Sequence, residues 1–404
     1  MDENKQRRLT ARLIGYALIL FVVEFVRGAY LLSYLPVYAE KILHYPVTVV
    51  GLAISIHYVV DMIVKGLAGF LLDRFPARVI VGGGMLFSLI GLILLQGPQN
   101  VFIFLLSAAL FGVGISPIWL VCLSRVTAEQ RAFQMGVLYT VWLTGLGAGP
   151  VVINFVLDYS LSVTYFILLG LWGLGCLLSL GMGGRAAGTR KKTVTWKVQA
   201  GVLKKQLGAA KPLLPPMMLQ TLAAGLLVPV LPGFASGVMG LQYAEYSMVL
   251  LAGGLCTVLC LMPMGKLSDR FGLRGFLIIG FAFLAAALYV MTFIKELELA
   301  LLTAALLGVS YACVLPAWNA LMALYVPKGH QEMGWGTLSS VEGLGAFIGP
   351  VLGGWLADRY GEVFVIAASA VLLGAIALWY ILVPLQPSGK TDGKAAVKGV
   401  TYRG

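Results

Sequence analysis

Ionisable side chains are scarce in this sequence, yet five of them sit inside apolar stretches near its start: Glu24, Arg27, His57, Asp61 and Lys65. Glu24 and Arg27, three residues apart, share one face of a helix and can form an ion pair. His57, Asp61 and Lys65 recur at steps of four and make one polar stripe on a second helix. A charged side chain at the centre of a bilayer costs at least ~2.5 to 3.5 kcal/mol on insertion scales, so such residues face a cavity and pair. A carboxyl group that alternates between a cationic partner and an apolar surround changes its proton affinity, which is the chemistry of a proton carrier. Glu24, Arg27 and Asp61 form the candidate set, with His57 as a further member. The plainer alternatives are a structural Glu24–Arg27 pair, a His57 that donates to a carbonyl and a Lys65 that snorkels to the membrane surface.

Other chemistry is thin. Glu342 lies midway along a later apolar stretch with no partner nearby in sequence. It reads equally as functional or as a protonated packing residue. Cys122, Cys176, Cys256, Cys260 and Cys313 lie in apolar stretches without metal-ligand spacing and read as small core residues. Three histidines make no metal site, and no Gly-x-x-x-x-Gly-Lys-Ser/Thr loop is present. ATP hydrolysis is therefore not expected; no cofactor is implied, and an ion gradient must supply energy for any transport.

The elements that must hold these residues follow from composition. Of 404 residues, 59% are hydrophobic and only 11% charged, where a soluble domain has about 25% charged. A membrane span needs about 20 apolar residues. Runs fit at roughly 11–39, 47–72, 78–96, 100–123, 132–157 and 163–182, then 213–240, 244–266, 274–294, 297–325, 334–356 and 363–385. Continuous segments of this length are helices, not barrel strands, so the expected fold is an all-α membrane protein of twelve transmembrane helices. The net charge of +12 could suggest nucleic acid, but the basic residues sit in short loops. With both termini cytoplasmic, 24 of the 29 Lys and Arg fall on the cytoplasmic side, as orientation in membranes requires.

The sequence also repeats. Gly69-Phe70-Leu71-Leu72-Asp73-Arg74-Phe75 recurs as Gly265-Lys266-Leu267-Ser268-Asp269-Arg270-Phe271, Pro117-Ile118-Trp119 as Pro316-Ala317-Trp318, and Gly145-Leu146-Gly147-Ala148 as Gly343-Leu344-Gly345-Ala346. Matches at nearly one offset predict two pseudo-symmetric six-helix halves. Residues 1–182 are the N-terminal half, 183–212 a basic cytoplasmic linker, 213–386 the C-terminal half and 387–404 a cytoplasmic tail.

Twelve spans in parallel halves and the doubled Gly-x-x-x-Asp-Arg motif resemble the major facilitator superfamily. The second copy continues with Gly272 and Arg274, as the superfamily's does; the first has Pro76 where glycine is usual and keeps Arg78. That resemblance implies that Asp73, Arg74, Asp269 and Arg270 belong to a conformational latch between helices. Longer strings are more specific: Glu24-Phe25-Val26-Arg27-Gly28 with Tyr30, Ser55-Ile56-His57 with Asp61, Ser116-Pro117-Ile118-Trp119, Gln134-Met135-Gly136 with Tyr139 and Trp142, and Leu315-Pro316-Ala317-Trp318-Asn319. These resemble the lipoteichoic-acid anchor glycolipid flippases of Gram-positive bacteria. The resemblance implies a multi-pass protein of the bacterial cell membrane, a proton-coupled antiporter that moves diglucosyl-diacylglycerol from the inner to the outer leaflet. It further implies the glycolipid and the bilayer as partners, with the glycolipid synthase and the lipoteichoic-acid synthase beside them. Trp119 and Trp142 match headgroup-facing positions, and Trp318 with Asn319 is the candidate counterpart in the second half; sugar rings can stack on indole.

The halves differ in polarity. Against the ionisable set of the first, the second holds chiefly Gln220, Asn319 and Glu342 among apolar residues, so one wall of a central cavity should be polar and the other oily. An amphiphile fits such a cavity better than a small polar nutrient does. The alternatives are multidrug efflux, which shares the fold and an intramembrane acid, and a membrane-embedded enzyme or receptor, for which no nucleophile–base pair is present.

Overall fold

The computed structural model describes residues 3–72, 74–97, 100–124, 131–181, 206–326 and 331–383. All regular elements among them are helical. In a bilayer this follows from the need to satisfy every backbone N–H and C=O within the segment.

The first half begins with α1, Glu3–Ala29, which runs on through a π-helical turn, Tyr30–Tyr34, into Leu35–Lys41. The wide turn lies just ahead of Pro36, where proline removes a backbone donor and crowds the carbonyl four residues earlier. There follow α2 (Val47–Leu72), α3 (Ala77–Leu94), α4 (Val101–Val113 with Ile115–Ser124), α5 (Arg131–Leu157) and α6 (Leu161–Leu180). The second half holds α7 (Leu214–Leu227, then Leu231–Gly233 and the π turn Phe234–Val238), α8 (Tyr243–Phe271), α9 (Leu273–Met291), α10 (Leu297–Leu324), α11 (Gln331–Tyr360) and α12 (Glu362–Leu382). Eleven of these are long and apolar enough to cross a membrane alone, and α7 makes the twelfth when its pieces, bent by 49°, count as one. The bend falls at Pro229 and Pro232, which cannot continue the hydrogen-bond ladder.

Within each half, close helix crossings depend on missing side chains. A Cβ on Gly28 of α1 would collide with the Leu146 carbonyl of α5, and one on Gly149 with the Phe25 carbonyl. In lipid, where no hydrophobic gradient drives helices together, this close packing is the main source of association.

The halves meet at the end that carries the 41–47 and 157–161 connections. Asp358, near the end of α11, accepts from the Val47 and Thr48 backbone N–H groups at 2.8 and 2.7 Å and from the Thr48 hydroxyl. Asp158, just past α5, does the same for Tyr243 and Ala244 at the start of α8, at 2.9 and 2.5 Å. Each carboxylate caps a helix of the opposite half, satisfying orphan donors at the positive end of its dipole. Deeper in, the Ser55 hydroxyl of α2 donates to the Phe347 carbonyl of α11 at 2.7 Å. Past this point Met62, Ile63 and Leu67 of α2 and Leu344 of α11 are about half exposed. The cleft between the halves thus opens toward the other end, which bears the 72–77 and 271–273 connections.

Two parts of the expected organisation fall largely outside the described residues: the linker, of which 206–212 are described, and the tail from 387 on.

Candidate proton-coupling and headgroup site

Glu24 and Arg27 lie on one face of α1, as their spacing requires, and Arg27 Nη1 is 3.4 Å from Glu24 Oε2. The other arm of the guanidinium reaches across to α2, with Nη2 3.9 Å from Asp61 Oδ2. One cation therefore serves two carboxylates. Glu24 is 1% exposed; the Arg27 and Asp61 side chains, at 12% and 11%, give the group its narrow opening. The Arg27 guanidinium also lies over the Tyr58 ring, 5.5 Å from its centre, a cation–π contact that is stronger for being desolvated.

Asp61 has a second partner. The Ser116 hydroxyl of α4 donates to Asp61 Oδ1 and lies 3.2 Å from the Asp61 carbonyl oxygen. Tyr58 and Ser116 are the members that sequence reasoning missed as partners. Ser116 does stand in the string that flags Trp119, but nothing local shows that α4 turns it toward α2.

His57 is fully buried and makes no ion pair among the described residues. Its ring stacks on Phe111 at 5.5 Å and meets Tyr58 edge-on at 5.6 Å. Lys65, one turn beyond Asp61, is exposed.

An aromatic group on α4 and α5 adjoins the ionic one on α1 and α2 through Ser116 and Gly145. Three residues beyond Ser116 on α4 stands Trp119, and three before Gly145, which packs against Glu24, stands Trp142 on α5. Their rings are 6.3 Å apart, and Tyr139 closes the trio at 5.3 Å from Trp119 and 6.4 Å from Trp142. Three residues are about 4.5 Å of helix, so the two tryptophans lie nearly one turn from the carboxylates, toward the open end of the cleft, with Tyr139 almost a turn further along α5. Both tryptophans are partly exposed and Tyr139 is 47% exposed.

The second half differs. Trp318 is buried at 2% exposure, and its indole N–H donates to Glu342 Oε1 at 3.0 Å. A carboxyl group in an apolar bundle needs a donor, and the indole supplies it at the expense of its own access to the cleft. Asn319 is exposed, and its amide donates to the Leu315 carbonyl at 3.0 Å. Beside them a cavity of about 510 Å³ runs among α7 to α10 and α12, its few polar groups including Gln220, Thr257 and Tyr311.

Of the expected latch, Asp73 lies outside the described residues. Arg74, Asp269 and Arg270 are exposed, and the Arg270 guanidinium lies over the neighbouring Phe271 ring at 5.4 Å.

Residues 16–215 and 213–401 each match the Major Facilitator Superfamily. The chain belongs to that superfamily. The match in each half accounts for the repeated motifs and makes this superfamily member a multi-pass membrane transporter by descent. It is 30% identical over 346 residues to the "Proton-coupled antiporter flippase LtaA" of Staphylococcus aureus strains MSSA476 and USA300, covering 83% of this chain and 85% of the relatives. Its fold resembles that of the nucleoside transporter NupG, with a TM-score of 0.73 at 13% identity over 92% of this chain and 99% of NupG, in its D323A mutant. A POT family transporter in complex with a thioalcohol-conjugated peptide superposes with a TM-score of 0.67 at 13% identity, over 91% and 95% of the two chains.

Proposed function

We propose that this transporter is a proton-coupled antiporter that flips a glycolipid, of the diglucosyl-diacylglycerol type used to anchor lipoteichoic acid, from the inner to the outer leaflet. The observation that carries the reading is the adjacency of a buried Glu24–Arg27–Asp61 cluster and the Trp119–Tyr139–Trp142 trio on one wall, opposite an apolar half.

Its chemistry follows from charge. Two carboxylates on one guanidinium leave a net negative charge until a single proton joins them, so the cluster is neutral when loaded and anionic when empty. In a low-dielectric site that difference is large, and the cluster favours whichever conformation best solvates its current state. The aromatic trio offers ring faces and two indole N–H groups to sugar, while the acyl chains need only apolar walls such as those of the second half. The basic face, toward which the cleft opens, is cytoplasmic in this reading, so the headgroup enters from the inner leaflet. Proton movement down its gradient then drives the return, and the glycolipid synthase and the lipoteichoic-acid synthase act on either side of this step.

Flipping of a fluorescent diglucosyl-diacylglycerol in liposomes, with and without an imposed pH difference, tests substrate and energy source together. The reading expects faster flipping with the gradient and loss of that stimulation in Glu24→Gln and Asp61→Asn. Equal rates in wild type and both variants would remove the coupling role. Because the 510 Å³ apolar cavity also has the size of a drug site, drug-dependent proton movement without any response to glycolipid would favour multidrug efflux.

A further inference from the structure

A second cavity, of about 1010 Å³, lies away from the cleft, in the seam between α3 and α6 on the outer surface of the first half. Its floor is glycine: side chains added at Gly83, Gly170 or Gly173 would meet nothing within 4 Å, and one at Gly82 only the Ser179 hydroxyl at 3.5 Å. Leu86, Leu177 and Leu180 form exposed apolar rims. At the end nearest the 72–77 connection stands Arg78, exposed and with no hydrogen bond or ion pair among the described residues.

The molecule contains its own control for this seam. At an offset of 196, Arg78 corresponds to Arg274 on α9, and Gly82 and Gly83 to Ile278 and Ile279. In the second half the matching positions of α9 carry side chains, Ile278 and Ile279, where the first has the glycine floor. On the inward face of α9, Phe281 stacks on Tyr380 of α12 at 6.1 Å, and Leu277, Ile376 and Ala377 are buried in the same cluster. Arg274 is also occupied there, donating from Nε to the Tyr380 carbonyl at 2.7 Å and from Nη2 to the Ile381 carbonyl at 2.9 Å. The same arginine thus donates to backbone carbonyls in one half and, among the described residues, borders an open trough in the other.

We propose that the α3–α6 seam is a binding site for an anionic phospholipid of the leaflet at the 72–77 end, with its phosphate on Arg78 and an acyl chain lying over the glycine floor. A guanidinium at the membrane surface matches a phosphate's geometry with paired N–H donors. Basic pockets between transmembrane helices bind anionic headgroups on the cytoplasmic side by this means. A neutral glycolipid lacks the phosphate that would pair with Arg78. The proposal does not depend on the transported substrate.

The test is native mass spectrometry of the full chain in detergent, titrated separately with phosphatidylglycerol, phosphatidylcholine and diglucosyl-diacylglycerol. Wild type should retain one phosphatidylglycerol in preference to the other two. Arg78→Gln should weaken it about fivefold, the worth of one surface arginine near an anionic headgroup. Gly173→Leu, which fills open space, should weaken retention without lowering the thermal unfolding temperature of the lipid-free protein, and Arg274→Gln should leave it unchanged. Equal retention of the three lipids by wild type, phosphatidylglycerol binding unchanged in both Arg78→Gln and Gly173→Leu, or a dimer that buries this seam and excludes lipid would each overturn the proposal.

Discussion

The two halves cross their second and fourth helices in the same way, but among the described residues only the first crossing carries acidic and basic side chains. In the first half Gly112 of α4 packs against the backbone of His57 on α2, where an added Cβ would lie 2.7 Å from the His57 carbonyl oxygen. At an offset of 196, Gly308 of α10 packs against the carbonyl of Gly253 on α8. Asp61 corresponds at that offset to Thr257, whose hydroxyl lies 2.9 and 3.1 Å from the Gly253 and Gly308 carbonyl oxygens. The close approach of backbones is kept, and the side chain beside it is exchanged from a proton-binding group to one that satisfies itself locally. Packing and chemistry are thus separable, and the ionic chemistry lies in one half.

The sharpest way to break that contrast is Arg27→Leu. It strands two carboxylates with one lost cation, and removing one partner of a buried pair typically costs about 3–5 kcal/mol. A large drop in thermal unfolding temperature and loss of gradient-driven flipping are expected; an unaltered unfolding temperature would mean the cluster is solvated. Next in size, Trp119→Ala together with Trp142→Ala should raise the glycolipid concentration needed for half-maximal flipping by about fivefold or more, since aromatic contacts are worth about 0.5–1.5 kcal/mol each. The oily half can be probed with Gly254→Phe, which projects into the 510 Å³ cavity from a position with open space. Flipping of long-chain glycolipid should slow while short-chain analogues move as before. The smallest effect is expected from Glu342→Gln, because the amide oxygen still accepts from Trp318 and no cation is lost. If that variant abolished gradient stimulation, the second half would share the proton chemistry and the contrast would fail.

The helices were legible because lipid imposes a simple rule. An apolar run of about 20 residues has no alternative to a helix, and the expected spans agree with the observed ones to within a few residues at most ends. The bend in α7 sits at Pro229 and Pro232, which cannot lie inside a continuous ladder. The Glu24–Arg27 contact follows from spacing alone. What could not be read were contacts between distant elements. Trp318 looks like the counterpart of Trp119, but its burial depends on Glu342, which comes to it from the next helix. Asp158 and Asp358 look like ordinary loop-end charges, and only the meeting of α5 with α8 and of α11 with α2 turns them into caps across the halves. Local pattern specifies a helix face; which helix it faces is a property of the assembled bundle.

The most direct measurement is proton exchange on substrate binding, followed as the pH change in weakly buffered detergent solution when diglucosyl-diacylglycerol is added to the purified protein. Wild type should exchange protons with the medium in a saturable way, and the double variant Glu24→Gln, Asp61→Asn should bind the lipid with no pH change. Binding with the same pH change in the double variant would contradict the account.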